Sequence, residues 1–260
     1  MCRISVVTIC FNNLEELKRT CKSVDEQHYP PHEHWIIDGS NSKDILHWLN
    51  TTLQPAYRKW VCEPDKGIAD AFNKGIKRST GEIVQLLNAA DIYANNDVLA
   101  RVSEAFDHDP ISQWLTGKIY MSRVGSMVLV GKAFDAQKLY RGMRSISHPT
   151  WFVRRSVYNE LGDYDGRYKI AMDYDMMCRL KDHKAAFLDL PLVIFDDSGI
   201  STQNYLAALK ETKLVYHSHF GFSLKMEIWQ IRLSVLYWLQ KTPLGKFLFL
   251  IKRKLGLENL

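Results

Sequence analysis

A chain of 260 residues, 46% hydrophobic and 24% charged, can build one sizeable α/β domain with an appendage. Its net charge of +5 sits in the tail: residues 225–260 carry seven Lys or Arg against two Glu, so the first 224 positions are neutral, which disfavours a nucleic-acid-binding surface. The five cysteines contain no CxxC pair and no window reaches about 18 uncharged apolar residues, so a disulfide framework, a thiolate zinc site and a spanning helix are disfavoured and a reducing cytosol is expected.

In chain order, Ile4 to Ile9 is a β-branched run that reads as a buried parallel strand, too short for the core of a signal peptide. Asn13 is placed to cap a helix carrying Leu14, Leu17, Cys21 and Val24 at helical spacing. His34 to Ile37 is a second strand, Ser42 to Leu53 a helix and Trp60 to Cys62 a third strand. Ile68, Phe72 and Ile76 define the apolar face of a helix over Ile68 to Arg78, and Glu82 to Leu87 is a fourth strand. The strand–helix alternation predicts a mostly parallel sheet with any ligand at the strands' C-terminal ends.

Beyond Asp97 the pattern is less regular. Lys118 to Met121 and Met127 to Val130 read as a hairpin around Arg123-Val124-Gly125-Ser126; Ser156 to Leu161 and Tyr174 to Asp182 read as short helices. Phe187 to Leu190 and Leu192 to Phe195 read as two further strands, and the composition shifts near residue 222.

Candidate chemistry lies just after these strands. Asp38 can accept hydrogen bonds from a base or a ribose, although a turn aspartate is the plainer alternative. In Glu63-Pro64-Asp65-Lys66-Gly67, Lys66 offers a charge for a pyrophosphate and Gly67 permits close backbone approach. Asp70 and Asn73 share a helix face. Asn88-Ala89-Ala90-Asp91 ends the most apolar strand, where a carboxylate suits a hard divalent cation. Asp173 and Asp175 cannot share a helix face and should have different jobs: one can deprotonate a hydroxyl, and the other can cap a helix. His148 is a lone histidine before Pro149, a structural residue unless something else engages it.

In order and spacing, Val7-Thr8 with Phe11-Asn12, Ile36 to Ser40, Glu63 to Gly75, and Thr80 to Asp91 resemble family 2 glycosyltransferases. His148 to Phe152, Arg154-Arg155-Ser156, Leu161-Gly162, Asp173 to Asp175 and Ser198 to Ser201 fit the same pattern, which runs from about residue 3 to 205 and is closest to bacterial enzymes of colanic acid and other surface polysaccharides. The resemblance implies a GT-A α/β fold over residues 1–222 and an inverting transfer from a nucleotide sugar, a UDP-sugar foremost, to a glycan or lipid-linked oligosaccharide. It implies a donor-binding set of Thr8, Phe11, Asp38, Lys66, Gly67, Asp70, Asn73 and Asn88, a general base at Asp173, and a divalent metal, Mn²⁺ or Mg²⁺, at Asp91 with His148 in support.

Two departures stand out. The place of the family's DxD element has one acid, Asp91, and related enzymes often read Asn-Ser-Gly-Asp there; Met172 replaces a glutamate common before the catalytic aspartate. A GT-A-like protein that binds a nucleotide sugar with weak catalysis is therefore the alternative. The QxxRW signature of processive synthases is absent, which favours addition of one sugar. A dinucleotide oxidoreductase is disfavoured by the lack of GxGxxG after the first strand, and a nucleotidyltransferase by the lack of Gly and Arg in that loop.

The tail, residues 223–260, is expected to hold a helix over Met226 to Gln240 with a narrow polar stripe of Glu227, Gln230, Ser234 and Lys241, followed by a mixed apolar and basic run from Leu244 to Leu257. Basic residues beside Trp and Phe suit contact with the cytoplasmic face of the inner membrane. The alternative is a helix packed on the domain.

Overall fold

The computed structural model describes residues 1–123, 126–144, 146–196 and 204–243, with Gly245, Phe247 and Leu248. The Ser198–Ser201 motif, the hairpin tip at 124–125 and most of 244–260 lie outside the described residues.

The first half alternates as its periodicity predicts: β1 (Ile4–Cys10), α1 (Leu14–Asp25), β2 (Glu33–Asp38), α2 (Asp44–Thr51), β3 (Arg58–Cys62), α3 (Ile68–Arg78) and β4 (Ile83–Leu86). β5 (Ile92–Tyr93), α4 (Val98–His108), and the hairpin of β6 (Trp114–Arg123) and β7 (Ser126–Val130) follow. Then come β8 (Phe152–Arg154), α5 (Arg155–Leu161), α6 (Met172–Arg179), β9 (Ala185–Phe195), α7 (Tyr205–Phe220) and α8 (Leu224–Gln240). Nine strands form one sheet in the order β3-β2-β1-β4-β8-β6-β9-β5, with β7 paired to β6. β1 to β4 are parallel; β8 runs against β4 and β6, β5 runs against β9, and β6 and β9 are parallel.

Alternation along β1 divides the core between the two faces of the sheet. Val7 and Ile9 face α3 and α6, in a cluster with Phe72, Trp114 and Tyr174. Ile4 and Val6 pack toward α4 with Val98, Leu99 and Phe106, while Cys10 joins Leu17, Ile45 and Leu49 of α1 and α2. α3 lies very close to the sheet: a Cβ on Gly75 would stand 2.1 Å from Val7 Cγ1, so only glycine permits this approach.

The structure corrects several expectations. α4 and α7, and the short strands β5 and β8, were not read from the sequence. Phe187–Leu190 and Leu192–Phe195 form one strand, β9, with a register shift against Gly117–Ile119 where Pro191 pairs with Lys118. A bulge accommodates the proline that interrupts the pattern. α6 starts at Met172, and Leu180–Asp182 is a separate 3₁₀ turn. Asn13 is the N-cap residue of α1, but its side chain turns back to accept the Phe11 N–H at 2.9 Å.

Glu33, 1% exposed at the start of β2, ties β2 to the turn before β4. It accepts from Ser5 Oγ at 2.7 Å, Lys59 Nζ at 3.0 Å, and both the N–H and hydroxyl of Thr80. Burial alone would raise this carboxyl's pKa, but the donors from Thr80, Ser5 and Lys59 outweigh it and bring it from the ordinary 4.5 to about 2. The folded value lies below the unfolded one, so the stabilisation is present above pH 4.5 and is lost as pH falls toward 2. Glu33→Gln is expected to cost about 2–3 kcal/mol at neutral pH in denaturant unfolding. The gap from the parent protein should close on acidification; a pH-independent gap would rule out the charge as its source.

Candidate active site

The parallel register sets Cys10, Asp38 and Cys62 side by side at the C-terminal ends of β1, β2 and β3. The loops after these strands therefore open on one edge. Asn12, at φ +54°, joins the first two: its N–H donates to Ser40 Oγ at 2.7 Å and its Oδ1 accepts the N–H groups of Asn41 and Ser42. Phe11 beside it is 56% exposed. Asp38 lies at the bottom of the edge, buried, with Oδ1 accepting the Ser40 N–H at 2.9 Å. Burial, and after it the Asp38 charge, push the Cys62 thiol up to about 12 and the Cys10 thiol higher, so neither offers a thiolate.

The Asp38 carbonyl accepts the Glu63 N–H at 3.0 Å, bringing in the third loop. Asp65 lies so close over Gly39 that a Cβ there would collide with its carboxylate. Asp65 also accepts the Gly67 N–H at 2.8 Å, and Gly67, at φ +115°, has open space where a side chain would project. L-residues are strained in that conformation. Lys74 braces the loop from α3, donating to the Pro64 carbonyl at 2.8 Å and pairing with Glu63 and Asp70. Lys66 is exposed, and its ammonium makes no ion pair among the described residues.

After β4, Thr20 of α1 holds the fourth loop. Its hydroxyl accepts the Ala90 N–H at 3.0 Å and donates to the Asp91 carbonyl at 2.9 Å. Ala90 stands at φ +94°, a conformation easier for the glycine of the related Asn-Ser-Gly-Asp pattern. Asp91 is 2% exposed and its Oδ1 accepts the Asp196 N–H at 3.0 Å, at the end of β9. Desolvation, opposed by that hydrogen bond, raises its pKa to about 7. Asn88 Oδ1 is buried without a hydrogen-bond partner.

A second group of residues meets the far side of α3. Asp173, in the first turn of α6, has a carboxylate 25% exposed with Oδ1 lacking a hydrogen-bond partner, 3.6 Å from His148 Nε2. Burial raises its pKa, and His148 opposes the rise. His148 Nε2 shares a hydrogen bond of 3.0 Å with the Tyr164 hydroxyl, and its ring lies between Phe72 of α3 and Trp151. Burial lowers the pKa of His148, which keeps the imidazole neutral, while Asp173 pulls the other way. The 3₁₀ turn of His148–Thr150 is fixed by Gln85 of β4, which donates to the Pro149 carbonyl at 2.8 Å.

Asp175 points elsewhere, pairing with Arg179 and with His219 of α7, each at 2.7 Å. The two acids have different partners, and neither caps α6. The three N–H groups of Lys169, Ile170 and Ala171, just before that helix, are taken by the Glu211 carboxylate of α7.

Several expected site residues make hydrogen bonds within the scaffold. The Thr8 hydroxyl is fully buried, 2.9 Å from His34 Nε2, so its side chain cannot reach a donor. Asp70 accepts the Lys66 N–H at 3.0 Å and shapes the loop, its carboxyl held below the usual range first by that bond. Asn73 spends both ends of its amide on Tyr164, accepting its N–H at 2.7 Å and donating to its carbonyl at 2.9 Å. His148 Nε2 is engaged by Tyr164, 3.0 Å away, and lies 3.6 Å from Asp173, while its buried Nδ1 has no hydrogen-bond partner. Among the described residues no three His, Cys, Asp or Glu side chains form a metal-ligand group. The uncommitted Asn88 oxygen and the Asp91 carboxylate still suit a hard cation in kind. Thr20, Gln85, Tyr164 and Glu211 were missed; of these, Gln85 lies inside the recognised Thr80–Asp91 block and Tyr164 lies near Leu161-Gly162.

Residues 5–162 match the family model described as glycosyl transferase family 2. An uncharacterized glycosyltransferase of Mycobacterium tuberculosis (strain CDC 1551 / Oshkosh) is 32% identical over 218 residues, 79% of each chain. Among solved structures, residues 1–349 of S. aureus TarS in complex with UDP align with a TM-score of 0.60 at 15% identity, over 88% of this chain and 69% of that one. The mannosyltransferase PcManGT from Pyrobaculum calidifontis, solved with GDP-Man and Mn²⁺, gives a TM-score of 0.60 at 15% identity over 98% and 81%. Likeness at that identity speaks to the fold, which is GT-A.

Asn73→Ala removes both bonds to the Tyr164 backbone. It is expected to lower stability by about 1–3 kcal/mol in denaturant unfolding. A variant as stable as the parent would show that the anchoring is not needed.

Proposed function

This chain belongs to glycosyl transferase family 2 and is a transferase; from that premise we propose an inverting transfer of one sugar from a nucleotide diphosphate sugar, a UDP-sugar foremost, to a hydroxyl of a glycan or lipid-linked oligosaccharide. Bacterial surface polysaccharide synthesis at the cytoplasmic face of the inner membrane is the setting that fits this acceptor. Residues 1–222 are the GT-A domain in this reading, and residues 223–260 are a helical tail.

The observation that carries the reading is the Asp173 carboxylate. The side chain is 25% exposed and its pKa is raised, while its buried Oδ1, without a hydrogen-bond partner, lies 3.6 Å from a neutral histidine. Such a group can take the proton of an acceptor hydroxyl as its oxygen attacks the anomeric carbon. The nucleotide diphosphate leaves from the opposite face, and that geometry inverts the centre. Lys66, free of ion pairs among the described residues, is placed to meet the diphosphate charge, with Gly67 leaving room for its approach. Asp38 and Phe11 form the nucleoside end. The UDP reading draws support from TarS, solved with UDP; the GDP-Man of PcManGT makes GDP the nearest rival.

A divalent cation belongs to the proposal. Asn88 and Asp91 would hold it, and the Mn²⁺ in PcManGT supports its presence. Once bound it would offset charge on the departing diphosphate. The single acid in this loop also favours the alternative, a binding protein with weak catalysis.

Asp173→Asn is expected to keep donor binding and to lose roughly 10²–10⁴-fold in turnover, measured as nucleotide diphosphate release. Near-parental turnover would remove Asp173 from the role, and a parent that binds donor without turnover would favour the alternative.

Thermal-shift measurements with UDP-, GDP- and dTDP-sugars should give the largest stabilisation with a UDP-sugar, about 2.7 kcal/mol at a hundred times Kd. Mn²⁺ should increase the shift and EDTA reverse it. Stronger stabilisation by a GDP-sugar would overturn the UDP reading, and indifference to Mn²⁺ would overturn the cation.

A further inference from the structure

Helix α8 is turned the opposite way from a helix that packs its apolar face on a domain. Glu227, Gln230 and Ser234 of its polar stripe point inward, while Lys241 at its end is exposed. Glu227 receives Lys213 Nζ at 2.6 Å and lies 3.3 Å from His217 Nε2, both on α7. Gln230 is 8% exposed and Met226 fully buried. Adjoining it, Leu224, Ile228, Ile231, Val235 and Trp238 at i, i+4, i+7, i+11 and i+14 form one continuous helical face. Each is exposed to between 58% and 65%, and Phe222 just before them to 77%. The face runs into a cleft of about 680 Å³ between α7 and α8, whose walls include Leu206, Leu209, Ile231, Val235 and Trp238.

Charge selects the occupant. The acids of these two helices are Glu211 and Glu227, and both are spent inside, on the 169–171 backbone and on α7. Lys210, Lys225, Arg232 and Lys241 are exposed. The Arg232 guanidinium lies 5.0 Å from the Trp229 ring centre, and Lys241 Nζ lies 4.3 Å and 5.1 Å from those of Tyr237 and Trp238. A second copy docked here would bring cations against cations with no exposed acid from either helix to pair with them. An anionic bilayer surface satisfies both halves of the pattern: apolar side chains enter the boundary of the acyl region, and Lys and Arg reach phosphate beside aromatic rings. No described helix is long and apolar enough to cross the membrane.

We propose that the outward face of α8, with the α7–α8 cleft, docks the protein on an anionic lipid surface. This deepens the lipid-linked acceptor reading, yet its test does not depend on it. The full chain is sedimented with vesicles of phosphatidylcholine alone or with 30% phosphatidylglycerol (about that fraction suffices for a negative surface potential). It should bind the anionic vesicles, more weakly as salt rises, and be depleted from the neutral ones. Arg232→Ala with Lys241→Ala should weaken binding about tenfold. Ile231→Glu with Trp238→Glu, both at exposed positions, should abolish it while keeping the circular dichroism spectrum and the thermal shift with nucleotide sugar. Equal binding to both vesicle types, no binding by the parent, or a concentration-dependent dimer that the glutamate pair dissolves would each overturn the proposal. None of these results would bear on sugar transfer, which the Asp173 variant tests.

Discussion

The site depends on the parallel register of β1, β2, β3 and β4. Because Cys10, Asp38 and Cys62 end their strands at one level, the loops that follow must share one edge of the sheet. Gly75 lets α3 lie close enough to Val7 for its N-terminus to join that edge while Phe72 reaches His148. One helix thus connects the loop edge to the Asp173 carboxylate, the two halves of the proposed site.

Side-chain bonds to backbone stabilise this edge more than contacts between side chains do. Asn12, Asp70, Lys74 and Thr20 each satisfy main-chain groups of an adjoining loop, and Asp65 one of its own. Loops have few ladder partners, and polar side chains take their place. A polar residue type at a strand end is therefore ambiguous. Asn73 and Thr8 are of the right chemistry for a ligand, but their hydrogen-bonding capacity is used by Tyr164 and His34.

The first half of the fold was legible because apolar periodicity and parallel topology agree there; α3 was predicted to the residue. The second half resisted for physical reasons. β5 and β8 are two and three residues long, too short to show a period. α7 buries Val215 alone of its residues, so it has no wide apolar stripe to read. α4 does carry buried Val98, Val102 and Phe106 at helical spacing, and its signal was present but not taken up. For the candidate site, the shared loop edge could be read from position, and so could the separate surroundings of Asp173 and Asp175. The pairing of Asp173 with His148 could not, because it joins segments 25 residues apart through tertiary packing. The polar stripe on α8 was visible, but its inward direction was set by Lys213 and His217 on a helix the sequence had not revealed.

The Glu211 carboxylate has a consequence for modularity. Three successive backbone amides before α6 converge on it, and Asp173 begins two residues later. The turn that carries Asp173, the proposed base, is thus held in place by a helix that follows the whole sheet in sequence. The segment matched by the family model, residues 5–162, contains neither Asp173 nor its support. The smallest excisable unit that keeps the Asp173 turn as formed must therefore extend through α7. In this protein a recombinant boundary is set by where hydrogen bonds close rather than by where sequence similarity ends.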